Sequence, residues 1–329
     1  MKEFLEEIES DVSDIKIKKF DYISTKIVPS RNDTSLTFER GQDKIGKTIE
    51  TCVLFVDIRN SVELNSTHNS QTMGRIYSVF SKSMLKVAKF HNGSVRNIIG
   101  DRVMIVFPVE NCFSNAINCA ITINHIAQEI ISKHFPKVEF KCGIGIDYGQ
   151  LKVVKVGIVR KGTENADNKN LVWVGYPANI ASRLTDFANK TKDNTTVKVT
   201  YNPYDWSNIP AIGYTGDISR FWWQSRRNQG GLYLKSESIK YCNLEEFANS
   251  ISFSADLSVS YSGGKLLKIE KQTNKIEFPS ILITDNVYIG FKKTVSSKPS
   301  IVDDWLKFEN HNIKDVKNVI YGKNLIYKI

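Results

Sequence analysis

The stretch Thr51 to Ser61, TCVLFVDIRNS, constrains the fold more than any other. Its apolar run from Cys52 to Val56 ends directly on Asp57. A continuous run rich in Val, Leu and Phe reads as a strand buried on both faces. A carboxylate at the buried end of such a strand is costly unless a metal, a salt bridge or a helix N-terminus compensates its charge. A second stretch, Asn97 to Phe107 (NIIGDRVMIVF), reads as strand, Gly-Asp turn, strand. It places Asp101 at a tight turn between two apolar strands. Two acidic residues at two strand ends can converge on one pair of divalent cations.

A chain of 329 residues holds one large domain or two ordinary ones. Its 41% hydrophobic and 24% charged content is that of a soluble globular protein rather than a fibrous or membrane one. Met1 to Asp21 is charged throughout, and no run of eighteen apolar residues occurs, so neither a signal peptide nor a transmembrane helix is expected. The five cysteines are irregularly spaced without a CxxC pair, which fits free thiols in a reducing cytoplasm better than zinc or disulfides. The net charge of +10 favours anionic partners, nucleic acid or nucleoside triphosphates, and is also what a basic solvated surface gives.

Taken in order, residues 1–47 read as a short helix and an extended lead-in. A strand over 51–58 is followed by a helix from about Gln71 to Phe90, with Met73, Ile76, Phe80, Met84 and Val87 on one face. His91-Asn92-Gly93 gives it a glycine stop. The hairpin over 94–107 precedes a second helix, about Val109 to Phe135. Val138 to Asp147 and Leu151 to Val159 read as a strand pair around Tyr148-Gly149, Arg160 to Lys169 as a charged loop, and Leu171 to Val174 as a strand. Gly175-Tyr176-Pro177 opens a helix to about Asn189, and Thr195 to Thr200 is a further strand. This order predicts an α+β fold, a ferredoxin-like sandwich with helices on one face of a sheet. The expected division is a lead-in over 1–47, a catalytic domain over 48–202, an aromatic and basic linker over 203–242, and a small β-rich C-terminal domain over 243–329.

Asp57 and Asp101 are hard oxygen donors suited to Mg²⁺ or Mn²⁺, ions that keep water and phosphate in their shells. Two such ions about 4 Å apart activate an attacking hydroxyl and stabilise a leaving oxygen. Two turn aspartates that only cap backbone are the competing reading. Backbone N–H groups in the turn from Ile58 to Val62 can cradle phosphate, with Asn60 and Ser61 small enough to allow close approach. Asn179 and Arg183 stand four apart on a predicted helix and share a face. An amide and a planar guanidinium there can hold a ribose and a phosphate oxygen, although a solvated helix face has the same pattern.

In order and spacing, LFVDIRNS, NIIGDRVMIVF, GIGIDYGQ and VGYPANIASRL resemble the class III nucleotide cyclases, over roughly residues 48–200. The resemblance implies that Asp57 and Asp101 bind both metals, that Ile58 offers its carbonyl to one of them, and that Asn179 and Arg183 contact the ribose and the reacting phosphate. It also implies a head-to-tail homodimer with sites at the interface, the aspartates coming from one chain and Asn179 and Arg183 from the other. The base pocket departs from the purine cyclases: Asn97 stands where adenylate cyclases carry Lys, and Val172 where they carry Asp or Thr. A polar amide and a neutral wall suit a smaller base, and Phe55, on the strand face of Asp57, narrows the pocket. The usual late Lys is missing, with Arg220, Arg226, Arg227 or Lys235 as candidates to replace it.

These departures, and the lead-in before Asp57, look like the pyrimidine cyclases of the Pycsar antiphage system. That resemblance implies conversion of UTP, or alternatively CTP, to a 3′,5′-cyclic nucleotide with two Mn²⁺ or Mg²⁺ ions per site, in the cytoplasm, for a separate effector to read. Purine cyclisation is a further alternative. Two other classes stand beside it. One is a non-catalytic nucleotide-sensing module, against which the presence of both aspartates and the Asn/Arg pair argues. The other is a nucleic-acid enzyme or binder using the aromatic and basic 203–240 stretch. No stable nucleic-acid or membrane partner is expected.

Overall fold

The apolar run before Asp57 forms the C-terminal part of a long central strand. In the computed structural model, which describes residues 1–160, 163–205, 234–253, 259–294, 303–309 and 311–328, the chain divides into two units. One comprises Met1–Thr191 with Glu277–Ile329, and the other Lys192–Ile276.

The first unit begins with α1 (Lys2–Ile17), β1 (Phe20–Ser24) and β2 (Lys44–Ile58), then α2 (Ser61–Thr67), α3 (Ser70–Phe90), β3 (Ser94–Ile99) and β4 (Arg102–Val106). Next come α4 (Cys112–His125), a π-helical continuation over Ile126–Ile131, α5 (Ser132–His134), β5 (Cys142–Arg160), β6 (Thr163–Val174) and α6 (Tyr176–Phe187). The second unit holds β7 (Thr191–Pro203), β8 (Ser238–Asn243), α7 (Leu244–Ser250), β9 (Ile251–Phe253), β10 (Val259–Tyr261) and β11 (Gly264–Glu277), which pair as β8-β7-β11-β10-β9. The chain then returns to the first unit with β12 (Ile281–Thr284), α8 (Asp285–Thr294), β13 (Leu306–Phe308) and β14 (Ile320–Lys323).

The main sheet runs β13-β14-β12-β5-β2-β4-β3, with β1 added to β2 and β6 to β5. β2 is buried on both faces, as its unbroken apolar run requires. Leu54 and Val56 join one core with α3, α4 and the residues Ile144, Ile146, Ile281 and Ile283. Val53 joins the opposite core with Ala178 and Ala181 of α6. Each fully buried Val or Leu contributes about 1.5–3 kcal/mol, an upper range for a real denatured chain. The expected α+β fold is present, but its helices cover both faces of the sheet and not one: α6 lies across the face opposite α3 and α4. Gly145 lets it sit close, since a Cβ there would lie 2.2 Å from the Ala181 carbonyl oxygen.

α3 follows the sequence closely. Asn69 caps it by accepting from the Thr72 N–H at 2.8 Å, and Met73, Ile76, Phe80, Met84 and Val87 are buried. Its stop differs from the expected glycine: Asn92 takes the left-handed conformation, φ 56°, as asparagine tolerates.

Several expectations are corrected. β5 is one strand, not a pair around Tyr148-Gly149, because its ladder to β2 runs unbroken from Ile58↔Cys142 to Lys47↔Val153. β6 begins at Thr163, within the stretch read as a charged loop. α2 stands where no helix was expected. The lead-in contributes β1 and the start of β2 to the sheet. The division at 243 is also moved. Residues 243–276 lie in the second unit, whereas β12 pairs in parallel with β5, Ile281↔Ile144 to Ile283↔Ile146, so 277–329 complete the first. The run Ile281–Thr284 is buried throughout, the mark of an interior strand rather than of a small separate sheet. Most of the aromatic and basic stretch, 206–233, lies outside the described residues.

Candidate active site

The two carboxylates are brought to one end of the sheet by strand register. β2 and β4 pair antiparallel with Val56↔Val103, so the next steps set Asp57 beside Arg102 and Ile58 beside Asp101. Gly100, at φ 61°, makes the turn that carries Asp101. On the other side of β2, Ile58 pairs with Cys142 of β5. Both carboxylates act on that thiol. Burial pushes Cys142 up to about 12; the Arg59 guanidinium opposes the rise, and the charges of Asp57 and Asp101 add to it. The placement of Asp57 and Asp101 at the same end of the sheet thus follows from hairpin geometry alone.

Of the three compensators a buried strand-end carboxylate can have, this structure shows the salt bridge. Arg102 Nη2 donates to Asp57 Oδ2 at 2.7 Å and also to Asp186 of α6, while its Nη1 donates to Ser182 Oγ at 3.0 Å. Burial pulls the Arg102 pKa down, but its hydrogen bonds to Asp57 and Asp186 outweigh this and leave it raised. A second cation, Arg59 Nη1, lies 3.9 Å from Asp57 Oδ2. Arg59 is buried, with its Nε donating to the Ala188 carbonyl at 2.8 Å and its Nη2 to the Thr185 carbonyl. Burial lowers its pKa, and the Asp57 charge opposes that. Gly143 provides the room: a Cβ there would fall 1.5 Å from Arg59 Nη2.

The other expected residues are more dispersed. Phe55 is half-buried on the α6 side of β2, and its carbonyl accepts from Thr185 Oγ1 at 3.1 Å. Asn60 is exposed, in the left-handed conformation at the start of α2 (φ 55°), and its carbonyl accepts from the Leu64 N–H. Ser61 begins that helix and uses its carbonyl to hold Asn65 Nδ2. Asn97 is exposed on β3, opposite Met104 and beside a bulge. Asn179 and Arg183 lie on the outer side of α6, whose inner side buries Ala178, Ala181 and Leu184. Asn179 is exposed, and Arg183 Nη2 pairs with Asp315 Oδ2 at 2.8 Å. Among the described residues, neither Asn179 nor Arg183 bonds to Asp57 or Asp101 within the chain.

The sequence reading missed Arg59, Arg102, Ser182 and Asp186. The signal was adjacent: an arginine follows each strand end, in DIR and in GDR, and Asp186 is four residues beyond Ser182 on the same helix face. Among the described residues no group of three or more His, Cys, Asp or Glu side chains is placed to hold a metal ion. At this end of the sheet Asp57 and Asp101 stand at the strand ends, and a third carboxylate, Asp186, shares Arg102 with Asp57. The two strand-end carboxylates fit a hard divalent cation that keeps oxygen positions for water or phosphate.

The adenylate and guanylate cyclase catalytic domain family matches residues 44–212. The uridylate cyclase of Burkholderia cepacia is 31% identical over 177 residues, spanning 52% of this chain and 72% of that one. The uridylate cyclase of Gulbenkiania mobilis is 27% identical over 210 residues, spanning 57% and 80%. Among solved structures, the adenylyl cyclase CyaB from P. aeruginosa aligns over 84% of this chain and 94% of that one, with 13% identity and a TM-score of 0.47. The chain therefore belongs to the adenylate and guanylate cyclase catalytic domain family and is a class III nucleotide cyclase.

Proposed function

We propose that the chain is a uridylate cyclase that converts UTP to 3′,5′-cyclic UMP and pyrophosphate. The observation that supports the reading is the placement of Asp57 and Asp101 at the same end of the sheet by the register of β2 with β4, in a chain 31% identical over 177 residues to a uridylate cyclase. The ribose 3′-oxygen attacks the α-phosphorus, a new P–O bond closes the ring, the bond to the β-bridging oxygen breaks, and the 3′-hydroxyl proton passes to solvent. Asp57, Asp101 and the Ile58 carbonyl would hold Mg²⁺ or Mn²⁺, two ions per site; when bound, these supply charge stabilisation to the attacking and leaving oxygens. With a cation on Asp57, Arg102 would still have Asp186 and Ser182 as partners.

Asn179 and Arg183 orient the ribose and neutralise charge on the reacting phosphate. Their place on the outer side of α6 supports a role across a homodimer interface, toward the aspartates of a second copy. Positioning and electrostatic stabilisation account for most of the rate in such a transfer. Asn97 and Phe55 shape the base pocket, and Asn60 and Ser61 lie along the triphosphate. The product serves as a second messenger in antiviral defence, read by a separate effector. Cytidylate cyclisation is the second reading, favoured by the same small, neutral base pocket. Incubation with equimolar ATP, GTP, CTP and UTP, followed by mass spectrometry of the products, tests the choice.

A further inference from the structure

The helix α1 is amphipathic with its faces inverted. Its polar side is fastened to its own unit. Both Asp14 carboxylate oxygens accept from the Gly41 N–H at 3.1 Å, Lys44 Nζ reaches Asp14 at 3.4 Å, and Arg40 reaches Asp11 at 3.9 Å and bonds to Ser10. None of its residues is buried. Its apolar side faces solvent: Leu5 is 56% exposed, Ile8 45%, Val12 58% and Ile15 57%. These four are spaced three, four and three apart, which is two heptads of a coiled-coil seam with Leu5 and Val12 at a and Ile8 and Ile15 at d.

We propose that α1 pairs in parallel with α1 of a second copy of this chain. The flanking charges select the orientation. In a parallel pair, each g position faces the following e position of the other helix, which sets Asp11 against Lys16 twice by symmetry. In an antiparallel pair with Leu5 opposite Ile15, g faces g and e faces e. Asp11 then meets Asp11, Glu9 meets Glu9, and Lys2 meets Lys16, all like charges. Arg40, Gly41 and Lys44 lie against Ser10, Asp11 and Asp14 on the far side of α1, and the exposed Phe4 and Ile17 fall outside the a/d stripe, which seats one partner helix. A membrane surface suits the helix less well. It carries six acidic residues against two lysines, and anionic headgroups repel that balance.

Two heptads are too short to hold a dimer alone, so the seam strengthens an association that other surfaces share. It does not rest on the cyclase reading: a chain without cyclase activity would still pair through α1, and a failed pairing would leave the chemistry untouched.

The test uses the full-length chain, whose five native cysteines are all buried. Under mild oxidation, Ile8→Cys should form a disulfide-linked dimer on denaturing, non-reducing gels, and Glu7→Cys, off the seam, should not. A variant carrying Ile8→Glu and Val12→Glu should raise the dimer dissociation constant in sedimentation at least about tenfold while the helical signal of the rest of the chain persists. Preferential cross-linking of Ile8→Cys with Val12→Cys chains would overturn the parallel arrangement. A trimer or tetramer, an unchanged dissociation constant, or α1-dependent flotation with phosphatidylserine vesicles would overturn the proposal.

Discussion

Arg102 donates to Asp57 at 2.7 Å from the residue next to Asp101, so the hairpin that brings a second carboxylate also brings a cation that balances the first. The Asp57 side chain is 15% exposed, too little for water to replace that partner without cost.

Removing the guanidinium therefore has a readable consequence. Arg102→Ala should lower the stability of the metal-free protein by roughly 1–3 kcal/mol. Mn²⁺ should then raise the variant's melting temperature by more than it raises the wild type's, since the ion meets an uncompensated carboxylate. Thermal denaturation with and without Mn²⁺ checks this. Equal shifts in the two proteins would mean that the ion and Arg102 do not share Asp57.

The proposed roles across two chains separate in mixtures. Asp57→Ala or Asp101→Ala should lower product formation by at least about a hundredfold, and Arg183→Ala similarly. Co-expressed Asp57→Ala and Arg183→Ala chains, purified as heterodimers through two tags, should regain measurable activity, because one of their two sites keeps both aspartates and an arginine. Verified heterodimers as inactive as their parents would contradict a shared site.

Gly143 is held small by Arg59. Gly143→Ala places a methyl carbon 1.5 Å from the present Nη2 position, so the buried guanidinium must leave the Ala188 and Thr185 carbonyls. A loss of roughly 2–4 kcal/mol is expected, measured by denaturant unfolding. A companion Gly74→Ala, at a helix position where an added Cβ meets nothing within 4 Å, should be neutral or slightly stabilising.

Asp147 gives a pH dependence. Burial raises its pKa to about 6, opposed by hydrogen bonds from Thr284 and the Tyr148 backbone, with Asp285 adding to the rise. Thr284 Oγ1 donates to it at 2.6 Å. The folded chain therefore binds this proton more tightly than the unfolded one, so stability falls as pH rises from about 4 to about 6. The loss amounts to roughly 2–3 kcal/mol. Asp147→Asn keeps an acceptor for Thr284 and removes the charge. It should be more stable than wild type at neutral pH and show a flatter stability profile across that window. A profile unchanged by the substitution would contradict the assignment.

What the sequence discloses and what it hides divide along physical lines. Asp57 and Asp101 were legible because each ends an apolar run, and hairpin register is a local property. α3 was legible because its buried residues keep helical spacing. β12 is hidden because three apolar residues and a threonine after a long intervening stretch carry no mark of the parallel strand they join, Ile144 to Ile146, so the sequence alone misplaces the domain boundary. β5 was split because Tyr148-Gly149 has turn composition, and only the ladder to Thr51 and Cys52 shows the strand passing through. Arg102 was overlooked since a lone arginine after a turn reads as solvated. Its three acceptors lie on β2 and α6, far away in the chain. The seam of α1 is hard to see in composition, where six acidic residues stand against six apolar ones, and shows only in the spacing of Leu5, Ile8, Val12 and Ile15.

The nucleotide is the centre of the account, and the products report it directly. Purified protein given equimolar ATP, GTP, CTP and UTP with Mn²⁺, and analysed by mass spectrometry, should yield 3′,5′-cyclic UMP as the dominant cyclic product and release pyrophosphate in equal amount. Dominant cyclic AMP or cyclic GMP, or no cyclic nucleotide from a folded, dimeric preparation, would contradict it.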